Sequence, residues 1–211
     1  MSDYPEIAAR FARETANHKM TVLLDDGLYR HLRFMNGGDL YWYDISTTPG
    51  QLTFSGDGDS FVFRLAPDMF DMFRQSADSG DINATYWAEK CRSGNARSYS
   101  RERFEECVWK QVAEREQYYR ALRDDVQHEI FDGEQFNVDY EADALMAVLG
   151  YRYHLVKDRN DRGNWDTFRF RRIHDWELRD FDWWFLFACF AIKDAIAQYD
   201  AAKAAPKAVA S

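Results

Sequence analysis

Apolar residues change their spacing along the chain, and each change marks a change of element. At the start, Asp3-Tyr4-Pro5-Glu6 sets a capping aspartate, a proline in the first turn and a carboxylate three residues on. Ile7, Phe11 and the alanines between them then predict a helix to about Asn17, with a narrow apolar stripe. From Met20 the period becomes two. Met20 to Leu24 is strand-like, Asp26-Gly27 signals a hairpin turn, and alternation resumes from Leu28 to Phe34. Asn36-Gly37-Gly38, Pro49-Gly50 and Gly56-Asp57-Gly58-Asp59 are further turns. Between and after them lie strand-like runs at Leu40 to Ser46, Gln51 to Ser55 and Ser60 to Leu65. Five strands joined by short turns predict an antiparallel meander.

Helical spacing takes over after Pro67, which suits a first helical position. Met69, Phe70, Met72 and Phe73 give one helix; Asn83 caps a second that holds Tyr86, Trp87 and Cys91, ended by Ser93-Gly94-Asn95. Ser100 caps the longest predicted helix, which runs to about Phe131 on a stripe of Phe104, Val108, Val112, Arg115, Tyr119, Leu122, Val126 and Ile130. Asp139 caps another with Ala142, Leu145, Met146 and Leu149. Arg159 to Asn164 is a polar loop, and Trp165 to Arg172 fits strand or coil. Asp180 or Asp182 opens the last helix, which continues to about Lys203 before a loose tail. The pattern predicts an α+β fold: an N-terminal antiparallel β-meander of about five strands packed with helices, followed by a helical C-terminal half. Residues 1–211 read as a single α+β domain, or as a sheet-rich part, 1–80, leading into a helical part, 81–211.

Composition narrows the function classes. Aromatic residues make up 17% of the chain, enough buried area to hold a folded core. A net charge of −9 disfavours broad contact with nucleic-acid phosphates. Cys91, Cys107 and Cys189 show no CxxC spacing, so neither a disulfide framework nor a zinc ribbon is predicted. The polar, acidic start shows no secretion signal, and the cytoplasm is the expected compartment. The longest apolar run, Trp183 to Ile192, is about half a bilayer span and predicts a buried helix or a homo-oligomer contact.

Strand parity supplies the candidate site. With Leu28, Leu32 and Phe34 facing inward, Tyr29, His31 and Arg33 face the other way, and Arg30 must find an edge or a carboxylate. Tyr41 and Tyr43 share a face opposite that of Leu40, Trp42 and Asp44. Tyr29, His31, Arg33, Tyr41 and Tyr43 are therefore expected together as a binding surface. Asp25 and Asp26 sit at the turn, more than about 10 Å along the strand from His31, so no catalytic pairing is expected within that hairpin. Gly56 to Ser60 lacks the ligands of a calcium loop and reads as a plain turn. His154 and His174, with Asp175 and Glu177, are the best case for a metal or hydrolytic site; the pattern does not favour it, and no cofactor, metal or catalytic residue is expected. The carboxylates and tryptophans of His174 to Phe187 fit a helix start, and the mixed charges of Arg101 to Arg123 fit a solvated helix face.

Four segments carry a resemblance: "LLDDGLYRHLRF", "YWYDISTTPGQLTFSGD", "FVFRLAPDMFDMFR" and "YWAEKCRSGNARSYSRERF". In order and spacing they resemble an uncharacterised family of small proteins encoded by tailed bacteriophages and prophages, over Lys19 to about Phe104. The resemblance implies a phage accessory product acting in the bacterial cytoplasm and brings no activity or catalytic residue with it. The expected function is non-enzymatic binding of a host protein, with countering of host defence as one use. The alternative is nucleic-acid or nucleotide binding on the aromatic sheet face, with bases on the tyrosines and phosphate on His31 and Arg33. No membrane partner is expected.

Overall fold

The computed structural model describes residues 4–38, 40–77, 81–155 and 166–205. The cap read at Asp3, the loop Arg159 to Asn164 with Trp165, and the end of the tail lie outside them. The chain forms two compact units. The first runs to Arg97 and resumes at Phe181; the second is Ser98–Asp180.

In the first unit, α1 (Pro5–Thr15) starts with its proline where a missing N–H costs nothing, and buries Phe11. Then come β1 (Lys19–Asp26) and β2 (Tyr29–Met35), joined by a two-residue loop in which Gly27 alone takes a positive φ, 61°. β3 (Tyr43–Thr48) and β4 (Gln51–Gly56) are joined by Pro49 and Gly50, the latter at φ 81°, the pattern of a type II turn. β5 (Phe61–Arg64) follows, then α2 (Met69–Ser76), α3 (Ala84–Lys90) and β6 (Cys91–Ser93). The sheet is antiparallel throughout, in the order β1-β2-β3-β4-β5-β6. Cys91 begins that sixth strand instead of ending a helix. Asp68 caps α2 by accepting from the Phe70 amide, which leaves Pro67 outside the helix. Asn83 caps α3 through the Tyr86 amide, as its sequence position predicts.

One sheet face forms the core. Directly opposed residues share a face, and Leu32 opposes Ile45 while Phe34 opposes Tyr43. All four are at most 1% exposed, as are Leu52, Phe54, Phe61 and Phe63 on the next strands. Against this face lies α7 (Trp183–Ala204), capped by the Asp182 carboxylate on the amides of Trp184 and Phe185. Phe185 meets Phe61, and Phe187 meets Phe11, with ring centroids 5.6 and 5.2 Å apart. An apolar run on all sides of a helix is explained by burial on all sides. Phe185 to Ile192 are all buried, so this stretch is core, while Trp183 and Trp184 before it are half-buried. Among the described residues, no helix is long and apolar enough to cross a membrane.

The second unit has its own core of Phe104, Val108, Val112, Leu122, Val126, Ala144, Phe168 and their neighbours. After the short strand β7 (Arg97–Tyr99), along which the chain enters this unit, come α4 (Arg101–Ala113), α5 (Leu122–Val126), a π-helical turn (Gln127–Phe131) and α6 (Glu141–Gly150). β8 (Tyr153–Leu155) pairs with β9 (Asp166–Phe168), a 3-10 turn spans Ile173–Asp175, and β10 (Arg179–Phe181) carries the chain out. Ser100 caps α4 through the Arg103 amide. The single long helix expected to Phe131 is instead broken between Ala113 and Leu122. Its apolar stripe has an arginine at position 115, so that turn has nothing to bury, and Ala121 at φ 63° reverses the chain before Leu122. Asp139 does not cap α6; it accepts from Arg101, 2.8 Å away.

Candidate functional site

β1 and β6 are the two edges of the six-stranded sheet. An edge strand leaves a row of backbone N–H and C=O groups without partners, and proteins usually blunt it by shortness, proline or charge. β6 is only 3 residues long. β1 is 8 residues long, holds no proline, and confines its charges to Lys19 at one end and Asp25-Asp26 at the other. Between them Val22, Leu23 and Leu24 are 46, 49 and 49% exposed.

Register explains how three adjacent apolar residues come to be exposed. Val22 opposes Leu32 and Leu24 opposes His31, so Leu23 is the extra residue of a β-bulge. The bulge keeps Val22 on the core side and turns Leu24 to the outer face. There Leu24 joins Asp26, His31 and the half-exposed Tyr29. From the core side the strand is fixed by Asp25, which accepts from the Tyr199 hydroxyl at 2.8 Å and pairs with Lys203, both on α7. Hydrogen bonding from Lys203 and Tyr199 holds the Asp25 carboxyl below its ordinary pKa.

The expected five-residue face divides. His31 and Arg33 do lie on the outer face, beside Tyr29. Tyr43 faces the core, 1% exposed and stacked on Phe34 at 4.7 Å. Tyr41 lies before the strand at φ 57°, with its ring 5.9 Å from Phe187 and its hydroxyl accepting from Arg10. β3 starts only at Tyr43, after the left-handed backbone at Tyr41, and its register sets Tyr43 opposite the buried Phe34 and Asp44 opposite Arg33. Read from Tyr43, the alternation of Tyr43 and Ile45 with Asp44 and Ser46 places the apolar pair inward.

Asp44 is the residue that the sequence pattern set on the wrong face. It accepts from His31 Nε2 at 2.8 Å and from Arg33 Nε and Nη2 at 2.9 and 2.8 Å. Burial alone raises its pKa, but the hydrogen bonds from Arg33 and His31 outweigh this and hold the carboxyl below the usual range. A carboxylate in this place neutralises Arg33 and occupies two of its donors. The side chains that were to receive phosphate, His31 and Arg33, are therefore already paired. The His31–Asp44 contact joins the neighbouring strands β2 and β3.

No protein-family model, curated protein or solved structure matches the chain. What the site does rests on its own side chains.

The remaining candidates are structural. Gly58 packs where a β-carbon would clash with the Trp184 indole, and Asp57 accepts from the Tyr41 amide, so the Gly56 to Ser60 stretch is a packed turn. His154 hydrogen-bonds Thr167 at 3.0 Å, and His174 contacts Asp175 at 3.2 Å. The cleft that His174 lines does not include His154. Among the described residues, no group of three or more His, Cys, Asp or Glu side chains is arranged to hold a metal ion. Burial raises the Cys107 thiol pKa, the opposite of an activated nucleophile.

Proposed function

We propose that this chain is a non-enzymatic phage accessory protein that binds a protein of the bacterial cytoplasm, taking an extended segment of it along β1. The observation that carries this reading is the long, unprotected edge: three half-exposed apolar residues on a strand that pairs with β2 on one side only. Strand addition at such an edge gives affinity through main-chain hydrogen bonds, and alternate side chains give specificity. Val22 and Leu24, on opposite faces, supply that alternation, and Tyr29 extends the outer one. The Asp25 contacts with α7 hold the strand in place beforehand, which lowers the ordering cost of association. The phage setting and the use against host defence rest on the resemblance of Lys19 to Phe104. On the sheet face Asp44 already engages His31 and Arg33, the two side chains that nucleic-acid binding would use.

A photo-crosslinking residue at position 23, the exposed extra residue of the bulge, expressed in bacterial cells, tests this. The expected result is a discrete cross-linked partner. It is lost in the Val22→Lys/Leu24→Lys variant and kept in Thr53→Lys, on a central strand. Capture that survives the edge substitutions in a folded protein overturns the proposal.

A further inference from the structure

The charges and the register of β1 fit a second copy of the same strand. Lys19 stands at one end and Asp26 at the other. Neither takes part in an ion pair among the described residues. The other charged side chains of β1 and β2 are engaged: Asp25 by Lys203, Arg30 by Asp68, and His31 and Arg33 by Asp44. Lys19 and Asp26 also share a face. They oppose Met35 and Tyr29, positions that alternate with the buried Arg30, Leu32 and Phe34 of β2, so both side chains lie on the outer face of the sheet.

Asp26 and Tyr29 flank a two-residue hairpin loop and exchange both ladder bonds, and every second pair after them does the same. The backbone groups of Asp25, Val22 and Met20 therefore point to the open edge, with Leu23 and Leu24 together filling one ladder position at the bulge. Counted in ladder positions, Val22 is the midpoint between Lys19 and Asp26. A two-fold axis there sets Val22 beside its own copy, Met20 beside Asp25, Thr21 beside Leu24 and Lys19 beside Asp26, each pair on one face of the sheet. The free backbone groups of Met20, Val22 and Asp25 then meet their counterparts across the axis.

We propose that two copies of this chain pair antiparallel through β1 about that axis, as a homodimer that keeps the edge covered until an extended partner segment takes it. An isologous contact of this kind closes on itself. It joins two six-stranded sheets into one, whose free ends are the two copies of β6, each 3 residues long and a poor template for further addition. Opposite charges directly across a strand pair attract, and here the Lys19–Asp26 pair occurs twice. Val22 and Leu24, half-exposed in a single copy, are covered by the second. The covering role rests on the proposed capture of a partner segment by β1; the pairing itself rests on the symmetry of the strand.

Analytical ultracentrifugation of the purified full chain over a concentration series is the test. A monomer–dimer equilibrium is expected, with the dimer abolished by Val22→Lys and kept in Thr53→Lys, on a central strand. Lys19→Glu or Asp26→Lys alone sets like charges opposite each other twice and is expected to weaken the dimer about tenfold or more. The double variant Lys19→Glu/Asp26→Lys restores opposite charges and is expected to recover most of the affinity, which a mere loss of stability does not do. All three positions are exposed, and if Val22→Lys fails to fold, the charge exchange decides alone. A chain that stays monomeric at about 100 μM, a dimer that survives Val22→Lys, or a double variant no tighter than the single ones overturns the proposal. A monomer that still captures a bacterial protein through position 23 overturns the homodimer alone, and a dimer with no such capture overturns the host partner alone.

Discussion

Arg30 is a buried cation on the core face of β2, and its environment shows what such a residue requires. It is 8% exposed, and Asp68 meets its guanidinium with both oxygens at 3.0 and 2.8 Å. Phe70 covers it at 4.6 Å. Burial works against ionisation of Asp68, but the hydrogen bonds from Arg30 and from the Phe70 amide outweigh it, and the carboxyl pKa falls below its usual 3.8. Removing that carboxylate leaves a buried, uncompensated charge and an uncapped α2. Asp68→Ala is therefore expected to cost about 3–4 kcal/mol in urea unfolding at neutral pH. The sign of the pH dependence follows from the lowered folded pKa. The stabilisation is present above the unfolded value of 3.8 and is lost as pH falls through the folded one. Asp68→Ala should accordingly show a shallower loss of stability in acid than the unaltered protein.

At the scale of elements, the turns and caps were the most legible features. Gly27, Gly50, Asn83, Ser100 and Asp182 act locally, and each does what its neighbours in sequence predict. The features that escaped depend on distant contacts. β6 is too short to show a period and exists because β5 offers it an edge. Of the candidate site, the outward turn of Tyr29, His31 and Arg33 was legible from alternation in β2. The burial of Tyr43 and the role of Asp44 were not, because they depend on the register of β3 against β2, which sets Tyr43 opposite Phe34 and Asp44 opposite Arg33. The break between α4 and α5 makes a further prediction. Ala121 holds a left-handed backbone at φ 63°, where a β-carbon is unfavourable. Ala121→Gly should raise stability by about 0.5–1 kcal/mol, seen as a higher thermal midpoint, because the relieved strain exceeds the added chain entropy.

Over the whole molecule, the first unit is built from two stretches of chain whose junction points lie side by side. Arg97 at one end stacks on Phe181 at the other, 4.0 Å from its ring. The second unit is thus an insertion with its own core. Replacing Ser98–Asp180 by a short Gly-Ser linker is expected to leave a folded protein with the near-ultraviolet aromatic signal of the α7 core. A molten spectrum would mean that the first unit needs the second in order to fold. The order of synthesis has a consequence of its own. The apolar face of the β-sheet leaves the ribosome well before α7 is made. At about 5–20 residues per second, the intervening unit imposes a delay of several seconds. Throughout that interval a row of phenylalanines stands bare in a crowded cell, and a nascent chain halted before Phe181 should be an obligate chaperone client.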